Sequence, residues 1–145
     1  MESESSNNIA LARETLLNIK RAILLLKEWN VNVTSTDEWV GSPLGMQKLA
    51  GNSMMIETIG ESVKKIEKQM GMEFLNQCPE IPWREIMGMR NHIAHGYFDI
   101  DDSYVLSVIQ NDLDPLLIAV ESLISETEKQ LIEQQVDEHQ KDAEA

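Results

Sequence analysis

The chain has 145 residues, enough for one domain with a substantial core, and 42% hydrophobic against only 5% aromatic residues favours packed helices over a β-sandwich. A formal net charge of −13 is the main objection to a protein that acts on nucleic acid, because affinity for phosphates rests on Lys and Arg. No apolar run approaches the roughly 20 residues that span a bilayer. The start Met1-Glu2-Ser3-Glu4 lacks a basic leader, and the lone Cys78 has neither a disulfide partner nor companions for structural zinc, so a cytoplasmic protein off the membrane is expected.

A first helix is expected from a cap among Ser6, Asn7 and Asn8 to about Trp29. Ile9, Ala12, Leu16, Ile19, Ile23 and Leu26 form its stripe, widened by Ala10, Leu17 and Leu24. Asn30 to Gly41 lacks periodicity and reads as a connection with some freedom. Ser42-Pro43 then caps and opens a long second helix in which Leu49, Ile56, Val63 and Met70 recur every seven residues. Mid-helix glycine costs about 1 kcal/mol relative to alanine, so Gly51 and Gly60 are expected to admit another backbone, among the small residues Ala50 and Ser53.

Gly71 to Pro82 reads as a connector. Pro82 to His95 has helical spacing, with Trp83, Ile86, Met87, Ile93 and Ala94 on one stripe and Arg90 at its centre. An arginine there needs a reason, because an unpaired charge on an apolar face is costly. Gly96 is expected to close the helix, leaving His95 in a last turn whose dipole favours imidazolium. His95 would stand about 140° round the helix from Arg90, so both reach one point only if the last turn distorts or a second copy supplies one of them. Asp101 or Asp102 is expected to cap a fourth helix, with a kink or break near Asp112 to Pro115, and a fifth helical piece is expected to carry Leu116 to Leu131. Residues 1–125 thus form the helical domain. Residues 126–145 form an acidic helix extension fraying into a mobile tail, with seven acids against two bases.

Arg90, Asn91, His95 and Tyr97 together bring a guanidinium, an amide, an imidazole and a phenol into a short stretch, the inventory of a phosphate-handling site. The segment from Lys64 to Gly96 has five cations against four acids, so the charge objection is weaker there. On spacing alone, a packed arginine and a helix-end histidine are the simpler reading. His92 and His95 have metal-compatible spacing but no acidic or thiol third ligand on the turn, so neither a metal nor another cofactor is expected. His139 reads as solvated, and Met46, Met54, Met55, Met70, Met87 and Met89 read as core filler.

The segment Ile81 to Asp101, with its pattern Arg90, four residues, His95, one residue, Tyr97, resembles the signature of the HepT-like branch of the HEPN superfamily, small helical ribonuclease toxins. Thr58 to Ile66 is similar to that family's second-helix segment. The resemblance implies an all-α, up-and-down bundle of four to five helices that pairs as a homodimer across the motif helix. It implies a type VII-like toxin-antitoxin ribonuclease that cleaves RNA without a metal by 2′-hydroxyl attack, leaving a 2′,3′-cyclic phosphate. His95 would be the general acid or base, Arg90 the transition-state stabiliser and Asn91 an orienting hydrogen-bond partner, whereas Tyr97 would take AMP from a minimal nucleotidyltransferase antitoxin. The alternatives are a non-catalytic HEPN-type module that binds a nucleotide or the nucleotidyltransferase, and a helical scaffold whose acidic tail contacts proteins.

Overall fold

A computed structural model describes residues 4–93 and 95–144. Helix α1 (Glu4–Trp29) packs along both α3 (Pro43–Met70) and α8 (Leu113–Glu144). No strand forms among the described residues, so the expected all-α bundle is observed. The core is built by the predicted periodicity. Ala12, Leu16, Ile19, Ile23 and Leu26 of α1 face Leu49, Ile56, Ile59, Val63 and Ile66 of α3, and Leu116, Val120 and Leu123 of α8 close the third side. Ala10 and Leu24 are exposed, so the stripe of α1 is narrower than its sequence suggests, and α1 starts before its expected cap.

The stretch expected to have freedom is pinned. It holds a short helix α2 (Asp37–Val40), and Trp39 is buried in the core. Asn30 and Asn52 exchange two side-chain hydrogen bonds, 2.8 and 3.0 Å, and Asn30 Nδ2 also donates to the Leu26 carbonyl. Paired amides satisfy each other inside a core, where an unmet one would cost about 1–3 kcal/mol. Ser42 caps α3 as expected, its Oγ accepting from the Gly45 amide at 3.0 Å. The connector after Gly71 contains α4 (Met72–Leu75), which seats Phe74 and Leu75 in the core.

The motif is not one helix. It breaks into α5 (Trp83–Met87) and α6 (Arg90–Ile93), with a tight turn between them. A Cβ on Gly60 would lie 2.7 Å from the Ile86 carbonyl oxygen, so glycine lets α5 rest directly on the α3 backbone. Gly51 has open space around it and plays no such part. Met54 is exposed, Met87 and Met89 are buried, and the partly buried Met46, Met55 and Met70 pack against the core.

Beyond the motif, Asp101 caps α7 (Asp102–Ser107) by accepting from the Tyr104 amide at 3.0 Å. No break follows. A π-helical turn, Val108–Asp112, carries the chain from α7 into α8, so the altered hydrogen-bond ladder falls just before Pro115 and the proline is absorbed. The acidic extension is helical to Glu144. Its first turns pack on α1, where Thr127 is buried and Arg13 meets Glu128 at 3.2 Å, while Ser5 and Ser6 bond to Gln134 further along.

On the far side of α5, Glu85, Tyr104 and Asp112 line a cleft of about 270 Å³. Desolvation, then Glu85, raises the Asp112 carboxyl above its ordinary 3.8. Asp112 is exposed as a residue, so its carboxylate is only partly withdrawn from water. Desolvation, Asp112, Glu85 and Asp101, in that order, raise the Tyr104 phenol.

Two outcomes follow from this packing. Gly60→Ala forces its new methyl against backbone, so its denaturation midpoint is expected to fall by the equivalent of about 1–3 kcal/mol, whereas Gly51→Ala should gain about 0.5–1 kcal/mol. Urea titrations of both variants read the difference. For Asp112 the folded carboxyl binds its proton more tightly than the unfolded one, so its contribution to stability falls as pH rises through the window above 3.8. Asp112→Asn should therefore melt higher than the parent at pH 7 and lose that advantage below pH 3.8, in parallel melts across pH.

Candidate functional site

The break in the motif decides where its side chains go. Trp83 anchors the start of α5, its Nε1 donating to the Cys78 carbonyl at 3.0 Å, and Ile86 and Met87 follow into the core. The amides of Met89, Asn91 and His92 then bond to carbonyls three residues back, at 3.0–3.2 Å. Such a tight turn advances about 120° per residue rather than 100°. Met89 consequently rotates into the core and Arg90 rotates out. Arg90 is exposed, not central to the apolar stripe, which corrects the expectation of a charge facing the core.

His95 is corrected in the same way. Helix α6 ends at Ile93, and His95 lies beyond it in a bend rather than in a final helical turn, so the dipole argument for its charge no longer applies. Ala94 lies outside the described residues. Gly96, at φ 140°, occupies backbone space that side chains rarely tolerate and turns the chain into a short 3-10 turn, Tyr97–Asp99. The loop is closed at its base, where the Asp101 amide donates to the Ile93 carbonyl at 2.7 Å, and the Asp99 amide donates to Gly96 at 3.1 Å.

This distortion brings Arg90, Asn91, His95 and Tyr97 to one cleft of about 550 Å³ in a single chain. Of the two routes by which Arg90 and His95 could face a common point, the bent last turn is therefore present. Ser53 and Glu57 of α3 form part of the opposite wall. Sequence reasoning missed this wall, although the small residues Ala50 and Ser53 beside it were its signal. Tyr97 is 44% exposed and meets Phe98 edge-on, with ring centroids 5.1 Å apart. Phe98 itself is 95% exposed.

His92 is not in that cleft. Its ring lies on Tyr104, centroids 5.4 Å apart and tilted by 31°, away from His95's loop. Among the described residues no group of three or more His, Cys, Asp or Glu is placed to hold a metal ion, and no helix is long and apolar enough to cross a membrane. His139 is exposed on the acidic extension. Cys78 is buried. Desolvation and then Glu80 raise its thiol above the ordinary value, against a lowering contact from Ser122, so it is a poor nucleophile.

A guanidinium, an imidazole and an amide around an open, water-accessible cleft can bind a phosphodiester, move a proton and stabilise charge developing on phosphorus. The "Probable ribonuclease HepT" of Thermococcus cleftensis is 36% identical over 61 residues, which cover 42% of this chain and 52% of that one. From Methanocaldococcus jannaschii, "Putative RNase MJ1216" is 33% identical over 73 residues, 50% of this chain and 57% of its own length. "Putative RNase MJ0125" of the same organism is 32% identical over 74 residues, 51% of this chain and 60% of its own length. The chain thus spans little more than half the length of these curated relatives. No solved structure matches it. The family model described as "Ribonuclease HepT-like" matches residues 19–123, a stretch that takes in α3, the broken motif helix and the loop behind it, and the chain belongs to that family.

Proposed function

We propose that this protein is an endoribonuclease toxin of a type VII-like toxin-antitoxin system, cleaving RNA without a metal. The observation that carries the reading is the meeting of Arg90, Asn91 and His95 in one cleft. In the proposed reaction the 2′-hydroxyl oxygen attacks the adjacent phosphorus and the bond from phosphorus to the 5′ oxygen breaks. The hydroxyl proton leaves and the departing oxygen gains one, giving a 2′,3′-cyclic phosphate and a 5′-hydroxyl. His95 moves a proton, Arg90 holds the pentacoordinate phosphorus by its charge, and Asn91 orients the phosphate. DNA lacks the attacking hydroxyl and is spared.

Two copies pair across the motif, each contributing Arg90 and His95. What supports pairing is the apolar lip at the cleft, where Phe98 stands almost wholly in water and a second copy would cover it. A minimal nucleotidyltransferase neutralises the toxin through Tyr97. The phenol oxygen attacks the α-phosphorus of ATP, the tyrosine keeps AMP, and pyrophosphate leaves. The added phosphodiester then occupies the cleft beside Arg90 and His95.

His95→Ala and Arg90→Ala are each expected to lower RNA cleavage by at least 100-fold in EDTA, whereas His92→Ala keeps it. All three side chains are exposed, so the melting temperatures should move little. Retention of full activity by both Arg90→Ala and His95→Ala would favour a non-catalytic nucleotide-binding module instead.

Intact mass after co-expression with the cognate nucleotidyltransferase should rise in AMP increments that map to Tyr97, and Tyr97→Phe should escape neutralisation. Adducts confined to Tyr104, or full neutralisation with no adduct, would overturn the assignment of Tyr97.

A further inference from the structure

The active cleft does not end at α3. Its wall residues Met54 and Glu57 also line a second open cleft of about 490 Å³, which runs on along the same helix past Thr58 and Glu61 to Lys64, Lys65 and Lys68. The two adjoin at Met54 and Glu57, and the second is lined by α3 alone, so the exposed face of that helix leads from the Arg90 cleft to the three lysines. From Met54 to Lys68 the helical rise is about 21 Å. A single strand at the stacked spacing of about 3.4 Å per nucleotide would need about six nucleotides to cover that distance.

We propose that the Lys64, Lys65 and Lys68 end of this face is a binding subsite for the phosphates of single-stranded RNA flanking the cleavage position. This rests on the ribonuclease reading of the Arg90 and His95 cleft and says how its substrate lies. The charge pattern is the first reason. In a chain with a net charge of −13, the two clefts collect Arg90 and three lysines against two carboxylates, Glu57 and Glu61. Elsewhere the protein repels a polyanion, so a local positive track is needed to hold one.

The second reason is that two of these lysines are uncommitted. Lys64 meets Glu61 at 3.4 Å, but Lys65 and Lys68 make no ion pair among the described residues, and all three are exposed. Lys64 and Lys68 stand four residues apart on one helix face, where like charges repel and cost a few tenths of a kcal/mol. The helix dipole favours cations only in the last turn of α3, which includes Lys68 but not Lys64. Phosphate contact relieves that repulsion.

Glu57 stands at the junction of the two clefts and works against the strand. It weakens binding there without affecting either end, so its neutralisation should tighten affinity. The subsite reads no bases through the lysines, because ammonium groups contact phosphate alike in every sequence.

The test uses His95→Ala protein, so that binding is read without cleavage, and fluorescence anisotropy of a labelled single-stranded twelve-nucleotide RNA. Lys65→Gln with Lys68→Gln should weaken binding at least fivefold at low salt. It should also lower the slope of log affinity against log salt by about 1.4, at about 0.7 per lost phosphate contact on a single strand. Glu57→Gln should bind tighter. In the His95-containing protein the lysine pair should raise KM for the twelve-nucleotide RNA with kcat unchanged, and leave cleavage of a trinucleotide unaltered because it cannot reach α3's far end. Equal affinity and slope with and without the lysines would overturn the subsite. Loss of trinucleotide cleavage in the lysine variant would overturn it too, by showing a structural effect on the cleft. Absence of cleavage by the parent protein would sink the ribonuclease reading separately, since the anisotropy measurement does not depend on it.

Discussion

Everything at the cleft depends on how closely α5 lies on α3. The Ile86 carbonyl approaches position 60 so tightly that a single methyl would collide with it, and only glycine leaves the room. That contact fixes the first half of the motif against the core through Trp83, Ile86 and Met87. The second half then cannot follow as the same helix, and the tight turn through Gly88 and Met89 sends it elsewhere. A rigid seat followed by a forced break is what puts a cation and an imidazole on one open surface rather than on opposite sides of a cylinder.

Much of this was legible in the amino-acid order. The bundle, the Ser42 cap, the close approach at Gly60 and the Asp101 cap are written in local spacing and capping chemistry, each of which acts within a few residues. Arg90, Asn91, His95 and Tyr97 stand out in the sequence as a group, and all four line a common cleft. What spacing misjudged was the continuity of the motif. A 3.6-residue stripe from Trp83 to Ile93 cannot distinguish one helix from two short pieces, because the apolar residues on either side of the turn stay buried in both cases. The position of Arg90 reverses between the two. The pinned Asn30 to Gly41 connection was equally hidden, since the partner of Asn30 is Asn52 on another helix and the burial of Trp39 is a tertiary outcome. Pro115 calls for a kink or break, and a π-helical turn meets that constraint without interrupting the helix.

The exposure of the site changes what its residues contribute. Groups held at a surface have little to do with folding, so Arg90 and His95 contribute little to stability. The core carries the stability on α1, α3 and α8, and the motif residues that matter to it are the apolar ones between the exposed polar ones. Buried and exposed positions are thus interleaved along one short segment, with the turn at Met89 separating them residue by residue.

The loop behind His95 is closed at its base by one hydrogen bond from the Asp101 amide to the Ile93 carbonyl. Both anchors belong to the body of the protein, Ile93 to the core and Asp101 to the cap of α7. From His95 to Asp99 the residues are exposed, Phe98 most of all, whereas Ile100 packs against the core. Such a segment behaves as an interchangeable cassette. Mutational drift can alter the lip of the cleft while the two anchoring backbone groups keep the framework unchanged.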